Sequence, residues 1–293
     1  MHLSVYLPLV LTALFASLVR PLTRHLDPAL ATRTIAAGAV VTAGAGTCGL
    51  LLLALSTLGA TPCVRGRGVH SPAPLLVGAG AVVLLVLAVR RAARVLTVRR
   101  QTGRALLELC RTCNPQGELV VVVDEAAHAL AVPGRPGRVL VSTGLLRATT
   151  AAEQTVVLAH ERAHLRHHHH RYRAATELAA ALNPLVIPAR VTVAFLIERW
   201  ADEAAAQCVD DRDRTARTLA DIALRLHAGA APSASLAFHR DGVVERVRAL
   251  RAPLVRSHGW VAATLAGPAV LSAAAAGDAT LAFTRLLLRL VAS

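Results

Sequence analysis

Val157-Leu158-Ala159-His160-Glu161-Arg162-Ala163-His164 is the stretch on which the reading of this chain turns. An apolar lead-in runs into the pattern His-Glu-x-x-His. On a helix, residues i and i+4 share a face, so His160 and His164 present two imidazoles one turn apart. That spacing lets both hold one zinc ion from the same side. Glu161 lies about a quarter turn round the helix. Its carboxylate is there placed to take a proton from a water that the ion acidifies. One zinc per chain is the expected cofactor.

A hydrolytic zinc site needs a third protein ligand and keeps a fourth position open. The segment Phe195-Leu196-Ile197-Glu198-Arg199-Trp200-Ala201-Asp202-Glu203 offers it. Glu198 and Asp202 are again four apart, so a second helix aims both at one point. Glu198 completes the ligand set. Asp202 is placed to hydrogen-bond the outer nitrogen of a ligand histidine, which fixes its tautomer and raises its basicity. The tract from His167 to His170 follows the motif. It reads either as a metal-responsive element or as a basic helix end. A shifted pair, His164 and His168, lacks the glutamate, because residue 165 is leucine.

Composition places the chain in a membrane. Over 293 residues, 54% are hydrophobic and mean hydropathy is +0.50, too apolar for an ordinary soluble protein. Uncharged runs cover residues 3–19, 34–60, 74–89 and 260–277, near the roughly 20 residues of a bilayer crossing. Trp260 stands where an interfacial anchor lies. A signal peptide is the alternative reading of the first run, but its basic residues follow the apolar part instead of preceding it, and no small-residue cleavage pattern is clear.

The formal net charge is +14, and every basic residue other than histidine is arginine. Such charge can signify nucleic-acid binding. Here the arginines cluster at membrane edges, so the expected partner is a lipid bilayer, not nucleic acid. Arg20, Arg24 and Arg33 separate the first two spans. Arg90, Arg91, Arg94, Arg99, Arg100 and Arg104 follow the third. An excess of arginine marks cytoplasmic segments. The expected topology is an outside N-terminus, an outer loop over residues 61–73, a cytosolic block, and a fourth span leading out. Arg65 and Arg67 in the outer loop run against it.

The expected fold class is mainly α: a multi-span membrane protein with a cytosolic α+β zinc domain between spans three and four. Its domains are 1–90 with three spans, 91–257 as the cytosolic zinc domain, and 258–293 as the last span and tail. Within the block, 94–109 reads as a helix leaving the membrane. Residues 118–123 and 139–142 read as strands of a small hairpin or meander. Residues 129–132 or 139–141 are candidate edges for holding an extended peptide. The motif helix covers 153–166 with Thr149 or Thr150 as N-cap. The apolar stretch 174–197 is broken by Asn183-Pro184 and Pro188, so it reads as a helix pair on or dipping into the membrane. Helices follow at 215–228 and 243–251. Cys110 and Cys113 form Cys-x-x-Cys, either a redox pair or two ordinary cysteines, with no second pair to complete a four-thiolate zinc site.

The order of apolar helix, basic loop, strand pair, His-Glu-x-x-His, Asn183-Pro184-Leu185-Val186 and Glu198-x-x-Ala201-Asp202 resembles the BlaR/MecR-type integral-membrane zinc metallopeptidases. It resembles, more distantly, the HtpX-type membrane proteases. The resemblance covers about residues 90–250 and the arrangement of spans. It implies a gluzincin endopeptidase with a cytosolic active site. The implied target is a repressor, another regulator or a misfolded membrane protein. The penicillin-binding sensor of the BlaR/MecR type has no counterpart before Ser293, so β-lactam sensing is not expected. HtpX-type proteases carry His-Pro-Pro and a later Glu-Arg. His239 and Glu245-Arg246 stand in comparable order but without the prolines, a departure from that pattern. A tetrahedral oxyanion needs an electrostatic partner, and Arg246 or His239 is the candidate. The alternative function is a proteolytically inactive membrane signalling or scaffold protein that retains its zinc site.

Overall fold

In the computed structural model, residues 2–56, 75–113, 117–227, 234–255 and 257–292 are described. Two compact units divide the chain. One comprises Met1–Thr97, Arg173–Val193 and Arg256–Ser293; the other comprises Val98–Tyr172 and Ala194–Val255.

The first unit is built from apolar helices, since a helix satisfies its own backbone where water is absent. Helices α1 (His2–Thr23), α2 (Pro28–Ser56) and α10 (Gly259–Ala292) pack against one another. The buried face of α2 is rich in small residues, among them Ala31, Gly38, Ala39, Ala43 and Gly46. Small residues let helix backbones approach closely in an apolar medium. Gly38 shows the need: a Cβ there would stand 2.5 Å from the ring of Phe15, which is fully buried. Asp27 caps α2 by accepting from the N–H groups of Ala29 and Leu30 at 2.9 and 3.1 Å, with Pro28 at the first helical position.

Among the described residues, four helices are long and apolar enough to cross a membrane: Tyr6–Thr23, Pro28–Ser56, Leu76–Thr112 and Gly259–Arg285. The third differs from the sequence expectation. The apolar run 74–89 and the basic helix 94–109 are one element, α3 (Leu75–Cys113). No proline interrupts it, so the helix carries on after the apolar run ends. The expected outer loop 61–73, and the end of the second run beyond Ser56, lie outside the described residues.

The stretch 174–197 breaks where the sequence indicated. Helix α6 (His169–Leu182) is followed by a 3-10 turn (Pro184–Val186) and by α7 (Ile187–Val209). Asn183 caps the turn, its side chain accepting from the Leu185 N–H at 3.1 Å. Pro188 causes no break. It is the second residue of α7, where the missing N–H has no helical partner to lose.

In the second unit, β1 (Leu119–Val122), β2 (Ala129–Val132) and β3 (Arg138–Ser142) form one sheet in the order β1-β3-β2. β2 and β3 are an antiparallel hairpin, but β1 lies parallel to β3. This corrects the expected meander, and it removes 139–141 as a peptide-holding edge: β3 is the central strand, hydrogen-bonded on both sides. Its residues are all buried. Gly144 follows, where a Cβ would collide with the Glu125 carbonyl. Three further helices complete the motif region: α4 (Thr143–Ala148), α5 (Ala151–Arg166) and α8 (Arg212–His227), with α9 (Ala234–Arg251) packed on α8. The expected helices 215–228 and 243–251 therefore begin earlier than the sequence suggested. Cys110 is fully buried among Val120, Val132 and Leu140; the side chain of Cys113 lies outside the described residues.

Candidate metal centre

The motif helix α5 is fixed at its start by a capping box. Thr150 accepts the Glu153 N–H, and the Thr150 N–H donates to Glu153 Oε2 at 2.7 Å. Arg225 of α8 clamps the same carboxylate at 2.7 Å. The Arg225 hydrogen bond, then the Thr150 backbone N–H, hold Glu153 down at a pKa of about 2. Apolar packing sets the rotation of the helix. Val157, Leu158 and Leu165 lie against the buried cluster of Val139, Val141 and Leu145. Each fully buried aliphatic side chain in such a cluster contributes about 1.5–3 kcal/mol. The lead-in to the motif thus seats one face of α5 on the sheet and turns the histidine face towards α7.

There the two i,i+4 pairs meet. His160 Nε2 and His164 Nε2 are 3.1 Å apart. Glu198 Oε2 lies 3.4 Å from the first and 3.8 Å from the second. Among the described residues, His160, His164 and Glu198 form a group whose donor atoms all lie within 4.8 Å of one another and could hold a metal ion. Asp202, one turn after Glu198, meets the far side of the same ring: His160 Nδ1 is 3.0 Å from Asp202 Oδ1. Arg246 of α9 grips Asp202 with two hydrogen bonds of 2.7 Å, from Nε and Nη2. Such a fork is among the stronger protein hydrogen-bond arrangements. Its remaining nitrogen, Nη1, stands 3.7 Å from Glu198 Oε2.

The electrostatics suit a cation. Burial works against a charged His160, but hydrogen bonds to Asp202 and Glu198 overcome it and push its pKa up to about 10. Burial likewise works against charged Glu198 and Asp202. Hydrogen bonds to His160 for the one, and to Arg246 and His160 for the other, hold both carboxyls below the ordinary range. Positive charge is therefore stabilised at His160 Nε2, which faces the other two donors. Two imidazole nitrogens and one carboxylate oxygen converging there fit the ligand chemistry of zinc.

Glu161 has the opposite character. Burial, with Glu198 nearby, raises its pKa against the pull of His160 and Arg246, while the backbone of Ala131 on β2 hydrogen-bonds its carboxyl. Every site residue named from the motifs except His239 is thus described here. His239 is on α9, but its side chain lies outside the described residues.

Two features were missed in the sequence. His169 Nδ1 stands 2.9 Å from His164 Nδ1, and its buried ring lies against Trp200, with centroids 4.7 Å apart. The histidine tract therefore does not act as one group. His167 caps α5 and stacks on Trp200. His168 takes a left-handed turn at φ 53° and is exposed. His169 turns inward. The other missed feature is the pairing of Arg246 with Asp202, although the Glu245-Arg246 element had drawn attention to that residue.

A His-Glu-x-x-His helix with a glutamate from a second helix defines a metal-dependent hydrolase site. Comparison with known families agrees: the family model for peptidase family M48 matches residues 97–258, over half of the chain, and the protein belongs to that family. The matched segment contains His160, Glu161, His164, His169, Glu198, Asp202 and Arg246, and membership makes the protein a metallopeptidase. No curated protein and no solved structure matches the chain.

Proposed function

We propose that this metallopeptidase is a membrane-embedded, zinc-dependent endopeptidase of the kind its motifs resemble, BlaR/MecR-type or HtpX-type. Its active site faces the cytosol, and it cleaves a regulator or a misfolded membrane protein. The observation that carries the reading is the position of Glu161, half-buried and bound to Ala131, beside the His160, His164 and Glu198 donors.

His160, His164 and Glu198 hold the ion. When bound, zinc supplies a Lewis acid that polarises the scissile carbonyl and acidifies a water. Glu161 is the general base. Its raised pKa suits a carboxylate that accepts the water's proton and returns it to the leaving nitrogen. Asp202 holds the His160 ring by its outer nitrogen, and Arg246 holds Asp202. With one nitrogen directed at Glu198, Arg246 also brings positive charge to where an oxyanion develops. His239, on the same helix, is the second candidate for that role.

A protein substrate is supported by the sheet edge beside Glu161. The Ser142 N–H donates to the His128 carbonyl at 3.0 Å, so 128 and 142 are a hydrogen-bonded pair. Antiparallel pairs alternate, which turns the main-chain groups of Ala129 and Ala131 away from β3. The Val139 N–H, opposite Ala131, accordingly donates to Glu118 beyond β1's start. The outward Ala131 N–H is taken by the Glu161 carboxyl, so an extended segment laid along β2 pairs with the main-chain groups of Ala129 and passes Glu161.

The cytosolic placement rests on the arginines after spans one and three. Four spans and an outside N-terminus put the C-terminus outside, so a C-terminal phosphatase fusion should be active; an inactive fusion with a fluorescent cytosolic counterpart would overturn the topology. The enzymatic reading is tested with purified wild type and Glu161→Gln on an unfolded casein-like substrate. Glu161→Gln should keep its zinc and cleave about 10²–10⁴-fold more slowly. Equal cleavage by both would overturn the base assignment.

A further inference from the structure

We propose that His169 is a positioning residue for the metal ligand His164, accepting the proton that His164 carries on its outer nitrogen; this rests on the zinc site proposed above. The geometry leaves little choice of roles. His164 turns Nε2 towards His160 and Glu198, so its proton belongs on Nδ1 when Nε2 is given to a cation. That Nδ1 faces His169 Nδ1 at 2.9 Å. Two facing ring nitrogens bond only if one donates and the other accepts. His164 donates, His169 accepts, and the proton of His169 sits on Nε2.

The surroundings of His169 suit a neutral acceptor. Only 2% of the residue is exposed, and among the described residues its Nε2 has no hydrogen-bond partner. A buried polar atom left unpartnered calls for an explanation. Here the ring's other nitrogen supplies one, because the His164 contact fixes which way the ring faces. Trp200 holds the ring in place, 4.7 Å away between centroids, and His167 stacks on the same indole. Trp200 stands between Glu198 and Asp202 in sequence. The turn of α7 that delivers the third ligand therefore also braces the support of the second.

The consequence is an asymmetric site. The outer nitrogen of His160 meets an anion, whereas that of His164 meets a neutral ring. Three variants read this out: His169→Phe keeps an aromatic ring against Trp200 without an acceptor, His169→Asn places an amide oxygen near the Nδ1 position, and His169→Ala removes the ring. Zinc affinity is measured on the full chain in detergent by competition with a chromogenic chelator. The unfolding temperature of each metal-free variant is measured alongside. His169→Phe should bind zinc about 10–100-fold more weakly than wild type at an unchanged metal-free unfolding temperature, and His169→Asn should recover most of the loss. Wild-type affinity in His169→Phe, or equal weakness in Phe and Asn, overturns the proposal. Should His169→Phe unfold early, the pair Ala and Asn decides: weak Ala with tight Asn supports it, and equal affinities overturn it. A wild type that binds no zinc defeats the metal site itself, an outcome distinct from tight zinc in His169→Phe.

Discussion

The two histidines of one helix are supported in different ways. Behind His160 stands a charged assembly, Asp202 locked by Arg246 and itself only 4% exposed at the side chain. Behind His164 stands a neutral one, His169 wedged against Trp200. The charged support is tied to the fold, since removing one partner strands a buried charge. The neutral support leaves no charge behind when it is removed. Equivalent atoms of neighbouring donors thus meet a charged group on one side and a neutral ring on the other, and the two supports are expected to differ in the stability they carry.

The largest effects break what both sides share. Glu161→Gln leaves both supports intact and should lose about 10²–10⁴ in cleavage rate with full zinc content. His160→Ala should lose the metal, and metal analysis showing a full complement would remove the ligand assignment. Asp202→Ala comes next. It leaves Arg246, 14% exposed at the side chain, without its main partner, and should cost about 3 kcal/mol of stability together with zinc affinity. Denaturant unfolding of the metal-free protein measures the first part. Stability unchanged in Asp202→Ala would erase the contrast with His169→Phe, which should affect metal alone.

The smallest effects lie at the start of α5. Thr150→Ala should cost about 1 kcal/mol without altering zinc affinity at neutral pH. Glu153 adds a pH signature. Its folded pKa of about 2 lies below the ordinary 4.5. Its contribution is therefore complete above about pH 4.5 and lost as pH falls from there towards 2. Glu153→Gln should flatten stability in that acid window; an unchanged acid profile would detach the capping box from stability.

Much of the site was legible because it is local. His160 with His164, and Glu198 with Asp202, are helix repeats that spacing alone puts on one face. Thr150 was one of two N-cap candidates, though its partner Glu153 and the helix start at Ala151 emerged only in the structure, and Asn183-Pro184 marks a helix break wherever it falls. What spacing does not encode is pairing across the chain. The parallel contact of β1 with β3 turned an expected meander into a sheet with β3 in its centre. Arg246 reaches Asp202 from 44 residues away. His169 was visible only as one of four histidines. The turn that separates it from its neighbours depends on His168 at φ 53°, a conformation that glycine or asparagine normally announces.

The central claim is that two histidines and one glutamate hold the zinc. Zinc-edge X-ray absorption on purified wild-type protein tests it most directly. The account predicts a mixed shell of two imidazole nitrogens with oxygen, at about 2.0–2.2 Å, with the imidazole signal diminished in His164→Ala. A shell of three or four imidazoles that persists in that variant, or one containing sulfur, would contradict it and place the metal on the histidine tract or the cysteines instead.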